Sequence, residues 1–152
     1  MCDENKHYEQ ALNQSFKYLS IRPRSQKEIF QYLMQKNYPR GTVEVVLNRL
    51  MELGYIDDEY FANSFAEEKV ILSNNPIGPY KLKYELAKKG ISGEIIDQVI
   101  AQYFEDEQSL AQLAFQKKYP QEDLEHDDLI KAAKYLERRG FSYEIIRSVV
   151  FS

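Results

Sequence analysis

The sequence predicts an all-α protein: three tandem three-helix repeats, about nine helices, in an elongated, curved array. Three observations carry this expectation. Chain breakers are scarce, with 6 Gly and 5 Pro among 152 residues, so long helices joined by short turns are favoured. No stretch sustains the period-two alternation that a half-buried strand requires, so no sheet is expected. The third observation is internal repetition, the usual signature of a stacked-repeat architecture.

The repeat shows in three aligned stretches. Leu33, Leu86 and Leu136 stand 53 and 50 residues apart. Each is followed at fixed distance by a cation (Lys36, Lys89, Arg139), a turn residue (Asn37, Gly90, Gly140) and a large apolar residue (Tyr38, Ile91, Phe141). Apolar positions then recur at common offsets: Val43, Val46 and Leu47, then Ile96, Val99 and Ile100, then Ile146, Val149 and Val150. The expected organisation is an N-terminal extension at 1–10 and repeats over 11–56, 57–106 and 107–152.

Within the first repeat, Leu12, Phe16 and Leu19 mark the opening helix, and Ser25-Gln26-Lys27-Glu28 is a capping box that starts the middle helix. Asn37 ends that helix in the left-handed conformation that Gly90 and Gly140 supply in the later repeats. In the second repeat, Asp57-Asp58-Glu59 offers caps and first-turn anions for a helix carrying Phe61, Phe65, Ala66 and Val70. Gly78-Pro79 opens its middle helix, and Ser92 follows the Gly90 turn as the cap of the next. In the third repeat, Leu110, Leu113, Ala114 and Lys117 mark the first helix, Asp127-Asp128 starts the middle one, and Ser142 repeats the role of Ser92. With 12 Tyr, 8 Phe and no Trp, aromatic side chains are expected to fill much of the core.

Composition excludes several function classes. No apolar run approaches the roughly 20 residues of a membrane span. Residues 1–7 lack the basic and apolar blocks of a secretion signal, and the lone Cys2 cannot form an internal disulfide. Both predict a cytoplasmic protein. With only His7 and His126 beside that cysteine, a Cys/His zinc site is not expected. There is no Gly-rich phosphate loop, no nucleophile elbow and no metal-ligand pair at helical spacing, so no cofactor and no catalysis are expected. The acidic stretch Glu122–Asp128 reads as a solvated loop ending in a helix cap.

Charge is unevenly spread. Residues 11–56 hold seven cations against three anions, residues 57–106 five against ten, and residues 107–152 seven against eight. A basic first repeat on an acidic chain (net −4) suggests a local electrostatic footprint. Arg22-Pro23-Arg24 sets two cations on a proline-stiffened link, where they could hold a carboxylate or phosphate. Lys88-Lys89 and Arg138-Arg139 close the middle helices, where helix-dipole complementarity explains them as well as a partner does. A DNA-reading helix-turn-helix is disfavoured. The would-be reader Gly93–Ile100 offers Glu94, Asp97 and aliphatics to a polyanion.

Together the tandem units, Arg22-Pro23-Arg24-Ser25, Gly54-Tyr55-Ile56-Asp57-Asp58 with Phe61-Ala62, Lys88-Lys89-Gly90-Ile91 and Arg138-Arg139-Gly140-Phe141-Ser142 resemble the RecX family. The resemblance covers roughly residues 11–150. It implies a non-enzymatic, cytoplasmic regulator that binds the bacterial recombinase RecA and RecA–single-stranded DNA filaments. Such proteins modulate, mostly inhibiting, recombinase, ATPase and co-protease activity in DNA repair and the SOS response. The protein is then expected to be a monomer whose direct binding of DNA is at most weak. In that setting Asp57, Asp58, Phe61, Gly90, Gly140 and Phe141 serve capping, packing and turns. The expected partner or DNA contacts are Arg22, Arg24, Lys27, Lys36, Lys88, Lys89, Arg138 and Arg139. The other readings are a stand-alone nucleic-acid-binding repeat protein and a scaffold for a different protein.

Overall fold

The computed structural model describes the backbone of residues 2–152 and the side chains of residues 4–152. Met1 and the side chain of Cys2, on which the disulfide reading bears, lie outside the described residues. Among these residues the secondary structure is entirely helical. The helices are α1 (Cys2–Ile21), α2 (Gln26–Gln35), α3 (Arg40–Glu52), α4 (Asp58–Ala66), α5 (Pro79–Lys88), α6 (Gly93–Tyr103), α7 (Glu107–Lys118), α8 (His126–Arg138) and α9 (Tyr143–Phe151). They form the three helical trios the repeat requires. α4 runs directly into a π-helical turn over Glu67–Ile71, closed by the Leu72 N–H donating to the Glu67 carbonyl at 2.9 Å.

Residues 2–10, expected as an N-terminal extension, are helical in the structure. Nothing between residues 2 and 21 breaks a helix, so α1 passes through them unbroken, and Tyr8 packs against the first core. The chain divides into two compact units. One runs to Phe61 and takes in Lys89–Ile91; the other holds Ala62–Lys88 and Ser92–Ser152. In the first unit, α1 and α2 pack on α3 around Ala11, Ile29, Leu33, Val43, Val46 and Leu50, all fully buried. In the second, α5 packs on α6, and α7 and α8 pack on α9 around Ala111, Ala114, Ala132, Leu136, Phe141 and Ile146.

The aromatic expectation is corrected. No tyrosine is fully buried, and of the phenylalanines only Phe61 and Phe141 are. Aliphatic side chains fill the centres while rings such as Phe16, Tyr18, Tyr32 and Tyr135 lie around them. A phenolic hydroxyl needs a partner or water, which holds tyrosine at the margin of a core.

The turns follow their sequence signals. Asn37, Gly54, Gly90 and Gly140 all have positive φ, at 67°, 79°, 81° and 93°. After Gly140, the Phe141 N–H returns to the Leu136 carbonyl at 3.1 Å, and after Gly54 the Tyr55 N–H returns to that of Leu50 at 2.9 Å. These bonds satisfy carbonyls that the helix ends leave open. The caps depart from expectation at two places. Ser92 accepts from the Ile95 N–H at 3.4 Å, but the Ser142 side chain makes no capping bond; its backbone N–H instead donates to Glu107 Oε1 at 2.7 Å. Middle helix α8 starts one residue earlier than Asp127-Asp128 suggested. Glu125 is its cap residue, and the Glu125 N–H donates to Asp128 Oδ2 at 3.3 Å.

Candidate partner-binding surface

The cations expected to meet a partner divide by what they already touch. In the first unit, the buried Ser25 (fully inaccessible) opens α2 as half of a reciprocal cap with Glu28. The Glu28 carboxylate then takes Arg22 at 3.1 Å and Lys89 at 3.5 Å. Burial pushes the Glu28 carboxyl up, but the Ser25 N–H, Lys89 and Arg22 together outweigh it and hold it below its ordinary value. Lys89 also lies over the Phe61 ring, 5.9 Å from its centre. Its side chain is only 24% exposed, against 46% for Arg22.

Arg24 and Lys36 end a column of stacked groups. The Arg24 guanidinium sits 3.7 Å from the centre of the Tyr18 ring and its Nε donates to the Tyr18 carbonyl at 3.4 Å. Tyr18 stacks on Tyr32 with centroids 4.0 Å apart and planes at 3°. The Lys36 ammonium lies 5.5 Å above Tyr32. Arg24 is therefore half-buried, and Lys36 stays exposed at the far end. Cation–ring contacts of this kind contribute roughly 0.5–1 kcal/mol each at exposed sites.

The remaining candidates complete a pattern that repeats. In the first unit, the Ser25 hydroxyl donates to the Lys89 carbonyl at 2.8 Å, and Gly90 lies so close to Lys27 that a Cβ there would come within 2.7 Å of the lysine Cβ. In the second unit, the Gly78 N–H donates to the Arg139 carbonyl at 2.7 Å, the Tyr80 N–H donates to that of Gly140 at 2.9 Å, and a Cβ on Gly140 would meet Lys81 at 2.4 Å. Positions 25 and 78 correspond in the repeat, as do 89 and 139. Each joint seats the turn of one repeat on the start of the preceding repeat's middle helix.

The joint explains why the paired cations differ. The second of each pair, Lys89 or Arg139, is half-buried in the joint, and Arg139 also donates from Nη2 to the Asn75 carbonyl. Asn75 is fixed in turn by donating to the Tyr135 hydroxyl at 2.8 Å. The first of each pair, Lys88 or Arg138, is exposed, with Lys88 lying 5.5 Å from the Tyr84 ring centre. Arg22, Lys27, Lys36, Lys88 and Arg138 are thus exposed, Arg22 while paired with Glu28, and Arg24, Lys89 and Arg139 are half-buried.

Sequence reasoning missed two features here. Asp58 reads as a cap of its own helix, but its carboxylate accepts from the Gln26 N–H at 2.9 Å and so caps α2; Asp57 takes the local duty, accepting from Glu59 and Tyr60. Burial, with the charges of Asp57 and Glu28, pushes the Asp58 carboxyl up despite that bond. The Tyr18–Tyr32 column was likewise invisible, because the two residues lie on different helices. Only the shared Ser25-Glu28 signature pointed to this corner.

No helix among the described residues is long and apolar enough to cross a membrane. The architecture is that of a tandem three-helix-repeat protein in which the turn of one repeat is held at the start of the preceding repeat's middle helix. Residues 11–50 match the model of the first three-helix domain of RecX and residues 57–100 that of the second. A regulatory protein RecX from Chlorobium phaeobacteroides (strain BS1) is 35% identical over 151 residues, covering 97% of this chain and 93% of its own. Another from Prosthecochloris aestuarii (strain DSM 271 / SK 413) is 34% identical over 140 residues, covering 92% and 91%. The crystal structure of RecX from Lactobacillus salivarius superimposes with a TM-score of 0.81 over 99% of this chain and 96% of its own, at 24% identity. The chain belongs to the RecX family of regulatory proteins.

Proposed function

We propose that this protein binds RecA and the filament RecA forms on single-stranded DNA, and that it limits filament growth. Recombinase, ATPase and co-protease activity fall as a consequence. The observation that supports this reading is the extent of the family match, two consecutive domain models followed by alignment with full-length relatives across 97% of the chain. The protein works in the cytoplasm, as a monomer, without a cofactor and without catalysis of its own. The exposed cations Arg22, Lys27, Lys36, Lys88 and Arg138 meet the partner, while Arg24, Lys89 and Arg139 hold the surface in shape. Placing charges on joints that recur with the repeat suits a partner that also repeats.

Co-sedimentation with RecA nucleoprotein filaments tests this, alongside filament growth and ATP hydrolysis. The expected result is pelleting with filaments and slowed growth at substoichiometric ratio. Unchanged growth and hydrolysis with no co-sedimentation overturns it. Tight binding of free DNA that weakens steeply with salt, without any effect on RecA, would instead mark a stand-alone nucleic-acid-binding protein.

A further inference from the structure

We infer that the groove between α8 and α9 is a docking site for an amphipathic helix of a partner protein that carries carboxylates beside its apolar face. The reading goes beyond the proposed function, since it does not depend on which protein supplies the helix. The floor is Phe141 and Ile146, both buried in the core beneath. The rim is apolar yet open: Tyr143 is 76% exposed, Tyr80 of α5 65%, Phe151 47% and Ile130 37%. Four large apolar side chains left open around one groove give a docked helix an apolar face to cover. α7 packs on the same two helices but contributes none of the groove lining, so this side of the pair is open.

Charge and geometry select the occupant. Lys134 of α8 and Arg147 of α9 line opposite walls, both exposed, and neither has an ion-pair partner among the described residues. A carboxylate at the margin of a docked helix would meet either of them. Both walls present side chains at helical spacing, Ile130–Lys134 and Tyr143–Arg147, which is the ridge pattern a third helix interdigitates with. No strand exists among the described residues to extend with another. A nucleic-acid strand fits poorly, because the groove offers two cations and places the Glu137 carboxylate among them.

The test uses two stapled amphipathic helical peptides of about four turns, identical in their leucine face but flanked by Glu in one and by Lys in the other. Titration of the full chain, followed by amide shifts, is expected to show the Glu-flanked peptide binding about tenfold tighter, with shifts centred on α8 and α9. Lys134→Glu with Arg147→Glu should invert the preference, and Tyr143→Ala should weaken both peptides without moving the thermal transition. If the charge-reversed protein fails to fold, the two peptides on the unaltered chain decide the matter. Equal affinities, no binding of either, or shifts elsewhere would overturn the assignment. So would displacement of the peptide by a single-stranded oligonucleotide, or self-association of the chain that Tyr143→Ala abolishes.

Discussion

Glu28 and Asp58 are both acidic and close enough for their charges to act on each other, yet their carboxyls shift in opposite directions. Folded Glu28 holds its proton less tightly than the unfolded chain does. Its contribution is therefore full above its ordinary value of 4.5 and lost as pH falls through the lower folded value. Folded Asp58 holds its proton more tightly, so the native state gains stability as pH falls through the range above its ordinary 3.8. Glu28→Gln should cost about 1–2 kcal/mol at pH 7, and Asp58→Asn, which keeps an acceptor for Gln26 but removes the charge, should stabilise. Both differences should shrink toward zero in acid, as read by urea unfolding across pH. A second residue-scale comparison sets Gly54 against Gly140. Both have positive φ, but a Cβ meets nothing at Gly54 and meets the Lys81 backbone at 2.4 Å at Gly140. Gly54→Ala should cost about 1–2 kcal/mol from backbone strain, and Gly140→Ala measurably more.

At the scale of the element, three serines that look alike in sequence do different work. Ser25 caps α2 through the Glu28 N–H and also satisfies the Lys89 carbonyl. Ser92 makes only a cap, and Ser142 makes no side-chain cap. Ser25→Ala should therefore cost about 2–3 kcal/mol, Ser92→Ala about 1 and Ser142→Ala under about 0.5. Chemical denaturation of the three variants checks the order, and equal costs at Ser92 and Ser142 would contradict it. The starts of α2 and α5 carry more than their own helices: each is also where the following repeat's turn is held.

For the molecule as a whole, the joints separate half-buried cations from exposed ones. Arg138 is exposed and Arg139 is anchored to Asn75 and Gly78. Arg138→Ala should leave stability within about 0.5 kcal/mol while weakening co-sedimentation with filaments. Arg139→Ala should lower stability by about 2 kcal/mol, with any loss of binding tracking the loss of fold. Thermal unfolding and sedimentation on the same samples distinguish the two. Loss of binding in Arg139→Ala with an unchanged thermal transition would move that residue to the contact surface.

Helix class, the trios and the left-handed turns at Asn37, Gly90 and Gly140 were legible because they rest on local chemistry: few breakers, periodic aliphatics and residues that tolerate positive φ. The pairing of Ser25 with Glu28 was readable for the same reason, as it spans one helical turn. What each cation and carboxylate does was decided only by tertiary structure. Lys88 and Lys89 are neighbours with the same charge, and nothing local says that one faces solvent and the other a carboxylate from α2. Asp58 caps a helix that begins 32 residues before it, and Tyr18 meets Tyr32 across two helices. Sequence specifies what a segment prefers by itself; the partner of a polar group depends on which distant segment the packed core brings beside it.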